Sequence, residues 1–259
     1  MRVELAGRTA LITGGGSGIG REAAFSLAAE GAAIVVADLD PTAAEETVAA
    51  VRRRGGDALG VATDVTSQSS VEAAHAKAVE RFGAVDILVT SAGANDRGTG
   101  GYEIGEIDME RWRAIMRLNL EGSLLCCRAA VPMMKARRWG RIVTVGSTAG
   151  YRLEPGGGGY AMAKAALAAM TKMLAKEVGP FGVTANMVVP FFTDTPMLRR
   201  RLPTEAAMKQ ALASPLLQTP MDVVLEAKDQ AAAILYFCRE SGRYVTGQSL
   251  HVNGGAYMP

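Results

Sequence analysis

The stretch Thr9-Ala10-Leu11-Ile12-Thr13-Gly14-Gly15-Gly16-Ser17-Gly18-Ile19-Gly20 decides the fold of this chain. Thr9–Thr13 is a short apolar run suited to a buried strand, and helical spacing begins at Gly18. A turn of glycines joins the two. Glycine lets the backbone bend tightly and approach a pyrophosphate. The helix N-terminus then offers free N–H groups and the positive end of its dipole. Gly14, Ser17, Gly18, Ile19 and Gly20 are therefore candidate coenzyme contacts. Asp38 stands eighteen residues after Gly20, where the next apolar run (33–37) ends. A carboxylate at that offset can accept hydrogen bonds from adenosine ribose hydroxyls and repels a 2′-phosphate. No arginine or lysine lies among residues 14–20 or at Leu39 to receive that phosphate. NAD is expected over NADP.

Outward from this unit, strand-like and helix-like segments alternate. Strands are expected at 58–62, 86–90, 141–145, 183–189 and 249–252. Helices are expected at 18–30, 41–54, 67–82, 108–137 (two helices with a break near Asn119), 160–178 and 225–239. Asp40 and Pro41 form an N-cap and first turn for the second helix. Short strands that are apolar throughout belong to a parallel sheet covered on both faces. The expectation is a single α/β domain with a Rossmann-type doubly wound parallel sheet. Two segments break the rhythm: the glycine-rich 151–159, and 190–220, which is read as an irregular substrate lid. Both follow strand carboxyl ends, where ligands bind in open α/β sheets.

Composition narrows the classes further. Apolar residues make up 49% and charged residues 21% of the 259, and the net charge is +2. That balance suits a soluble globular protein and argues against a nucleic-acid partner or a membrane anchor. The three cysteines, Cys126, Cys127 and Cys238, form no disulfide framework and fit a reducing, cytoplasmic setting. No metal site is expected, because His75 and His251 lie far apart with no Cys/His cluster. His75 is placed on a polar helix face and His251 in a late strand.

The chemistry is concentrated in Ser147, Tyr160 and Lys164. Tyr160 and Lys164 are four residues apart, hence on one face of a helix, and Ser147 is thirteen residues upstream of Tyr160. An ammonium beside a phenol favours the phenolate and lowers the tyrosine pKa from about 10. Such a tyrosine can exchange a proton with an alcohol or ketone near neutral pH. Ser147 would hold the same substrate oxygen. Single basic clusters carry less. Those at 52–54 and 137–138 suit helix C-termini. The third, 199–201, lies in the expected lid, where it could also meet an anionic substrate.

Taken in order, these motifs resemble the short-chain dehydrogenase/reductase family in its form of about 250 residues. The glycine turn matches TGxxxGxG, and Tyr160 to Lys164 matches YxxxK. The resemblance implies that Asn119 joins Ser147, Tyr160 and Lys164 as a catalytic residue, holding a water in a proton relay. It implies that Asp64 and Val65 meet the adenine. It places Ser91, Ala92 and Gly93, then Pro190 and Thr195, around the nicotinamide, whose ribose Lys164 also binds. Tyr244 to Gln248 and Asn253 to Gly255 resemble the usual ending. Two residues depart from the pattern: Ser91 stands for the usual asparagine, and Phe191 for the glycine after Pro190.

Family-equivalent positions assign the substrate pocket to Ala94, Asn95, Ala149, Leu153, Phe191, Phe192 and Met197. Most are apolar, so a hydrophobic secondary alcohol and its ketone are expected. Two rivals are weighed. A 3-oxoacyl-thioester reductase would commonly prefer NADPH, against which Asp38 argues. A catalytically silent nucleotide-binding regulator would not need the four-residue set. The resemblance also implies a homotetramer, packed through the long helices and residues 256–259.

Overall fold

The computed structural model describes residues 3–95, 104–153, 158–214 and 219–259. In chain order its elements are β1 (Thr9–Thr13), α1 (Gly18–Ala29), β2 (Ala33–Asp38), α2 (Pro41–Arg53), β3 (Ala58–Ala62), α3 (Gln68–Phe82) and β4 (Ile87–Thr90). Next come α4 (Met109–Met116), a π-helical turn (Arg117–Glu121), α5 (Gly122–Arg137), β5 (Gly140–Val145), α6 (Ala149–Arg152), α7 (Gly158–Val178) and β6 (Val183–Pro190). The chain closes with β7 (Thr193–Asp194), α8 (Pro196–Arg199), α9 (Glu205–Leu212), β8 (Leu225–Glu226), α10 (Ala227–Cys238) and β9 (Ser249–Val252).

A seven-stranded sheet runs in the order β3-β2-β1-β4-β5-β6-β9, with every pairing parallel. Strand side chains alternate between its faces. Ile12, Ile34, Ile87 and Val143 join Leu27, Val48 and Phe237 in one core layer. Leu11, Val35, Leu88 and Ile142 join Val71, Met134 and Val178 in the other. Burial on both faces is why these strands carry no polar stripe. The doubly wound, single-domain architecture is as expected. Strand order reverses between β1 and β4, which opens the crevice where such sheets take ligands.

Local signals account for several boundaries. Asp40 caps α2, accepting from the backbone N–H groups of Thr42 and Ala43, with Pro41 in the first turn. Gly83, at φ 83°, ends α3 in the left-handed conformation. Arg52 and Arg53 lie in the last turn of α2, and Lys135 and Arg137 in that of α5. The expected break near Asn119 is the π-turn. Among the described residues, no helix is long and apolar enough to cross a membrane.

Three expectations need correction. The stretch 190–220 is not irregular: it holds β7, α8 and α9, and only 215–218 fall outside the described residues. Thr195 and Thr204 cap those two helices, each accepting a backbone N–H three residues on. The helix expected at 225–239 begins with β8, which pairs in parallel with β7. His75 is not on a polar face. It lines a small cavity with Leu11, Val71, Leu88 and Cys126, and its Nε2 is buried with no hydrogen-bond partner among the described residues. Burial lowers its pKa below the usual imidazole value. Of the glycine-rich stretch 151–159, residues 154–157 lie outside the described residues.

Candidate active site

The glycine turn sits at the topological switch point. Gly14 has φ +64°, and a Cβ there would lie 2.8 Å from the backbone N of Ala92. Only glycine combines that conformation with that approach. The ends of β1 and β4 are stitched together at this point: Ser91 N–H donates to the Thr13 carbonyl at 3.2 Å, and Ala92 N–H to Thr13 Oγ1 at 3.3 Å. A Cβ on Gly20 would lie 2.3 Å from the Gly14 carbonyl oxygen, so α1 can start this close to the strand only with glycine there.

The start of α1 differs from its neighbours. Asp40, Ser67 and Asp108 cap α2, α3 and α4 with side-chain hydrogen bonds, whereas Ser17 makes no such bond at α1. The first-turn N–H groups of α1 are thus left to an anion. Asp38 closes this end. Its Oδ2 accepts from Gly16 N–H at 2.8 Å and its Oδ1 from Asp40 N–H at 3.0 Å. Leu39 beside it is 74% exposed. The uncapped helix N-terminus behind the glycine turn fits the pyrophosphate of a dinucleotide. Asp64 is also exposed, and Thr66 holds its Oδ1 through both N–H and Oγ1, at 2.8 and 2.7 Å. Those bonds keep its carboxyl below the usual range. Val65 packs against Gly122.

The four residues expected to be catalytic come from different elements. Ser147 follows β5 and is half-buried, and its Oγ accepts Ala149 N–H at 3.2 Å. Tyr160 and Lys164 lie on α7. Lys164 is buried, and its Nζ donates to the Val145 carbonyl at 2.9 Å and lies 5.6 Å from the centre of the Tyr160 ring. Burial pulls the lysine pKa from 10.5 to about 8. Asn119 sits in the π-turn and is fully buried. Such one-residue expansions of a helix often mark functional sites. Its Nδ2 donates to the carbonyls of Ala94 and Ile115 at 3.0 and 3.1 Å, while its Oδ1 is buried with no hydrogen-bond partner among the described residues. Gly93 joins Asn119 to Lys164: a Cβ there would lie 2.7 Å from Asn119 Oδ1 and 3.6 Å from Lys164 Nζ.

The segment after β6 crosses this crevice. Thr148, next to Ser147, donates to the Pro190 carbonyl through both N–H and Oγ1, each at 2.9 Å. Thr195 meets the glycine turn, since a Cβ on Gly18 would lie 3.3 Å from its Cγ2. Neither Thr13 nor Thr148 is among the expected site residues. A hydroxyl used to stitch backbones carries no spacing signal of its own. Of the pocket positions, Phe192 is buried, Leu153 is exposed, and Ala94, Asn95, Ala149, Phe191 and Met197 are half-buried. The Phe191 ring faces Arg152, with 5.8 Å from guanidinium to ring centre. Arg199 binds Asp194 in bidentate fashion and Glu205 as well, so the structure commits it to holding β7, α8 and α9 together.

Fold and site together define a nicotinamide-dependent oxidoreductase, and the chain belongs to the short-chain dehydrogenase/reductase family. The family model described as enoyl-(acyl carrier protein) reductase matches residues 14–257. The chain is 38% identical over 256 residues to the short-chain reductase protein NovJ of Streptomyces niveus, covering 95% of this chain and 92% of NovJ. It is 35% identical over 252 residues to the 3-oxoacyl-[acyl-carrier-protein] reductase FabG of Escherichia coli (strain K12), covering 97% and 98% of the two chains. The solved structure of levodione reductase superposes with TM-score 0.89 at 28% identity, covering 96% of this chain and 97% of that one.

Proposed function

We propose that the protein interconverts a hydrophobic secondary alcohol and its ketone with NAD(H), using Tyr160 as the acid/base. The observation that carries this reading is Lys164, pinned to the end of β5 by Val145 and lying under the Tyr160 ring. When bound, the nicotinamide supplies the hydride acceptor or donor. The glycine turn, Asp38, Asp64, Val65, Ser91 to Gly93, Pro190 and Thr195 would hold the dinucleotide.

In the oxidation direction, the Tyr160 phenolate takes the alcohol's hydroxyl proton. Ser147 Oγ hydrogen-bonds the same oxygen and orients it. The ammonium of Lys164 stabilises the phenolate; with its pKa at about 8 it is still mostly protonated at neutral pH. Asn119 Oδ1, near Lys164 and without a partner among the described residues, offers an acceptor for a relay water. NAD preference rests on Asp38, a carboxylate held at the end of β2 by two backbone hydrogen bonds, whose charge would repel a 2′-phosphate. The segment 190–220 acts as the lid.

The match to FabG supports a second reading, reduction of a 3-oxoacyl thioester. One assay separates the two. The protein is supplied with NAD and a panel of secondary alcohols, and in parallel with NADPH or NADH and acetoacetyl thioester. Turnover of apolar alcohols with NAD supports the first reading. Thioester reduction alone, preferring NADPH tenfold, replaces it and removes Asp38 from its role.

A further inference from the structure

We propose that Trp112 and Ile115 are positioning residues: α4 is a strut that holds Asn119 and the first turn of α7 in one arrangement and so sets Tyr160 against Lys164. This rests on the acid/base reading of Tyr160.

Ile115 touches both partners. Its carbonyl accepts the Asn119 Nδ2–H at 3.1 Å. Its side chain lies along the residue before Tyr160: a Cβ on Gly159 would be 3.5 Å from Ile115 Cγ2. Trp112 is three residues earlier, on the same helix face. Its Cδ1 would be 3.0 Å from that same Cβ, and its Nε1–H points at Met162 Sδ, 3.2 Å away. Gly159 and Met162 flank Tyr160 in the sequence, so α4 grips α7 on both sides of the tyrosine.

The need for a grip follows from the sequence of α7. The helix opens with Gly158 and Gly159, and Gly158 has φ +51°. Glycine is the weakest helix former after proline, and first turns fray. Lys164 lies more than a turn further on and is anchored to the sheet. A fraying first turn would move Tyr160 relative to a fixed lysine. The indole and the isoleucine supply from α4 what the two glycines lack. The bare Gly159 is itself part of the device, because any side chain there would push the indole away.

The test uses the full chain and an alcohol that it oxidises. Four variants are compared: Trp112→Ala, Trp112→Phe, Gly159→Ala and the double Gly159→Ala/Trp112→Ala. For each, kcat, KM and the Kd for NADH by fluorescence are measured. Trp112→Ala should lower kcat about tenfold, a cost in line with slight misplacement of a reacting group, while Kd stays within about twofold. Trp112→Phe, which keeps a ring, should retain most of kcat. Gly159→Ala should lower kcat severalfold alone and have no further effect in the double, because its steric partner is gone. The proposal is overturned if both single variants keep full kcat, if their effects multiply, or if kcat and NADH affinity fall together. Should Trp112→Ala not fold, Gly159→Ala and Trp112→Phe carry the comparison. Tyr160→Phe is run alongside. If it is inactive while Trp112→Ala and Gly159→Ala are fully active, only the strut fails. If it turns over normally, the acid/base reading fails and takes the strut with it.

Discussion

Lys164 donates to the carbonyl oxygen of Val145 at 2.9 Å, two residues before Ser147. One buried hydrogen bond thereby ties the helix that carries the tyrosine to the strand end that carries the serine. Tyr160, proposed as the proton donor, and Ser147, proposed to orient the substrate oxygen, are thereby set relative to each other through the sheet, not through a loop. For a reaction that depends on placement, that is a rigid reference frame.

If Tyr160 is the acid/base, Tyr160→Phe should lower kcat by at least about 10³-fold, the upper range for losing a positioned proton donor. NADH binding should stay within about twofold, because the Gly14 to Gly20 turn and Asp38 are untouched. Steady-state kinetics with a fluorescence titration checks both parts.

Burial of Lys164 has a signature in stability. Its folded pKa of about 8 lies below the unfolded value near 10.5. Between these values the unfolded chain binds more protons, so stability rises with pH across this window. The cost of the buried charge is fully present below about pH 8 and fades toward 10.5. Lys164→Met should therefore be more stable than the parent at pH 7, by about 1–3 kcal/mol after losing the bond to Val145. Urea unfolding of both proteins from pH 7 to 10.5 should show that gap closing as pH rises. A gap independent of pH would reject the buried-charge account.

Asp38 should govern coenzyme choice. Asp38→Ser with Leu39→Arg removes the fixed carboxylate and places a guanidinium at an exposed neighbour. The ratio of kcat/KM for NADP over NAD should rise at least about tenfold, the scale of one lost charge repulsion. An unchanged ratio would mean that the 2′ position lies elsewhere.

The three thiols should be silent in the folded protein. Burial pushes Cys126 and Cys238 up to about 12, and Cys127 higher still. A thiol reagent at pH 8 should report no reaction with native protein and three thiols after unfolding in guanidinium.

Phe191 should set the breadth of substrate choice. Its ring bridges from the end of β6 toward Arg152 on α6. Phe191→Gly, which restores the residue usual in the family, should admit bulkier ketones. The kcat/KM ratio of a bulky to a small ketone should rise several-fold, the scale of changing a hydrophobic pocket wall. Equal effects on both ketones would place the ring outside the pocket.

Much of this was legible residue by residue. Asp40-Pro41 marked the start of α2 because a cap and a first-turn proline act within a few residues. Asn119 flagged a break in a long helix because asparagine is a poor interior helix residue, and the π-turn lies there. The segment after Pro190 misled: prolines suggested irregularity, yet Thr195-Pro196 and Thr204 start helices. His75 misled too, because helix periodicity does not say how much of a helix flank a neighbouring helix, here α5, covers.

By itself the sequence determined the class of fold and which residue types could meet. Apolar periodicity, glycine in the first turn and the four-residue spacing of Tyr160 and Lys164 all act at short range along the chain. Only the tertiary structure decided what those residues lean on. Val145 receives the lysine, Gly93 separates it from Asn119, Thr195 reaches Gly18, and Trp112 meets Gly159. Each of these contacts joins segments far apart in the chain. Packing of a doubly wound sheet brings them together, and no local propensity records them.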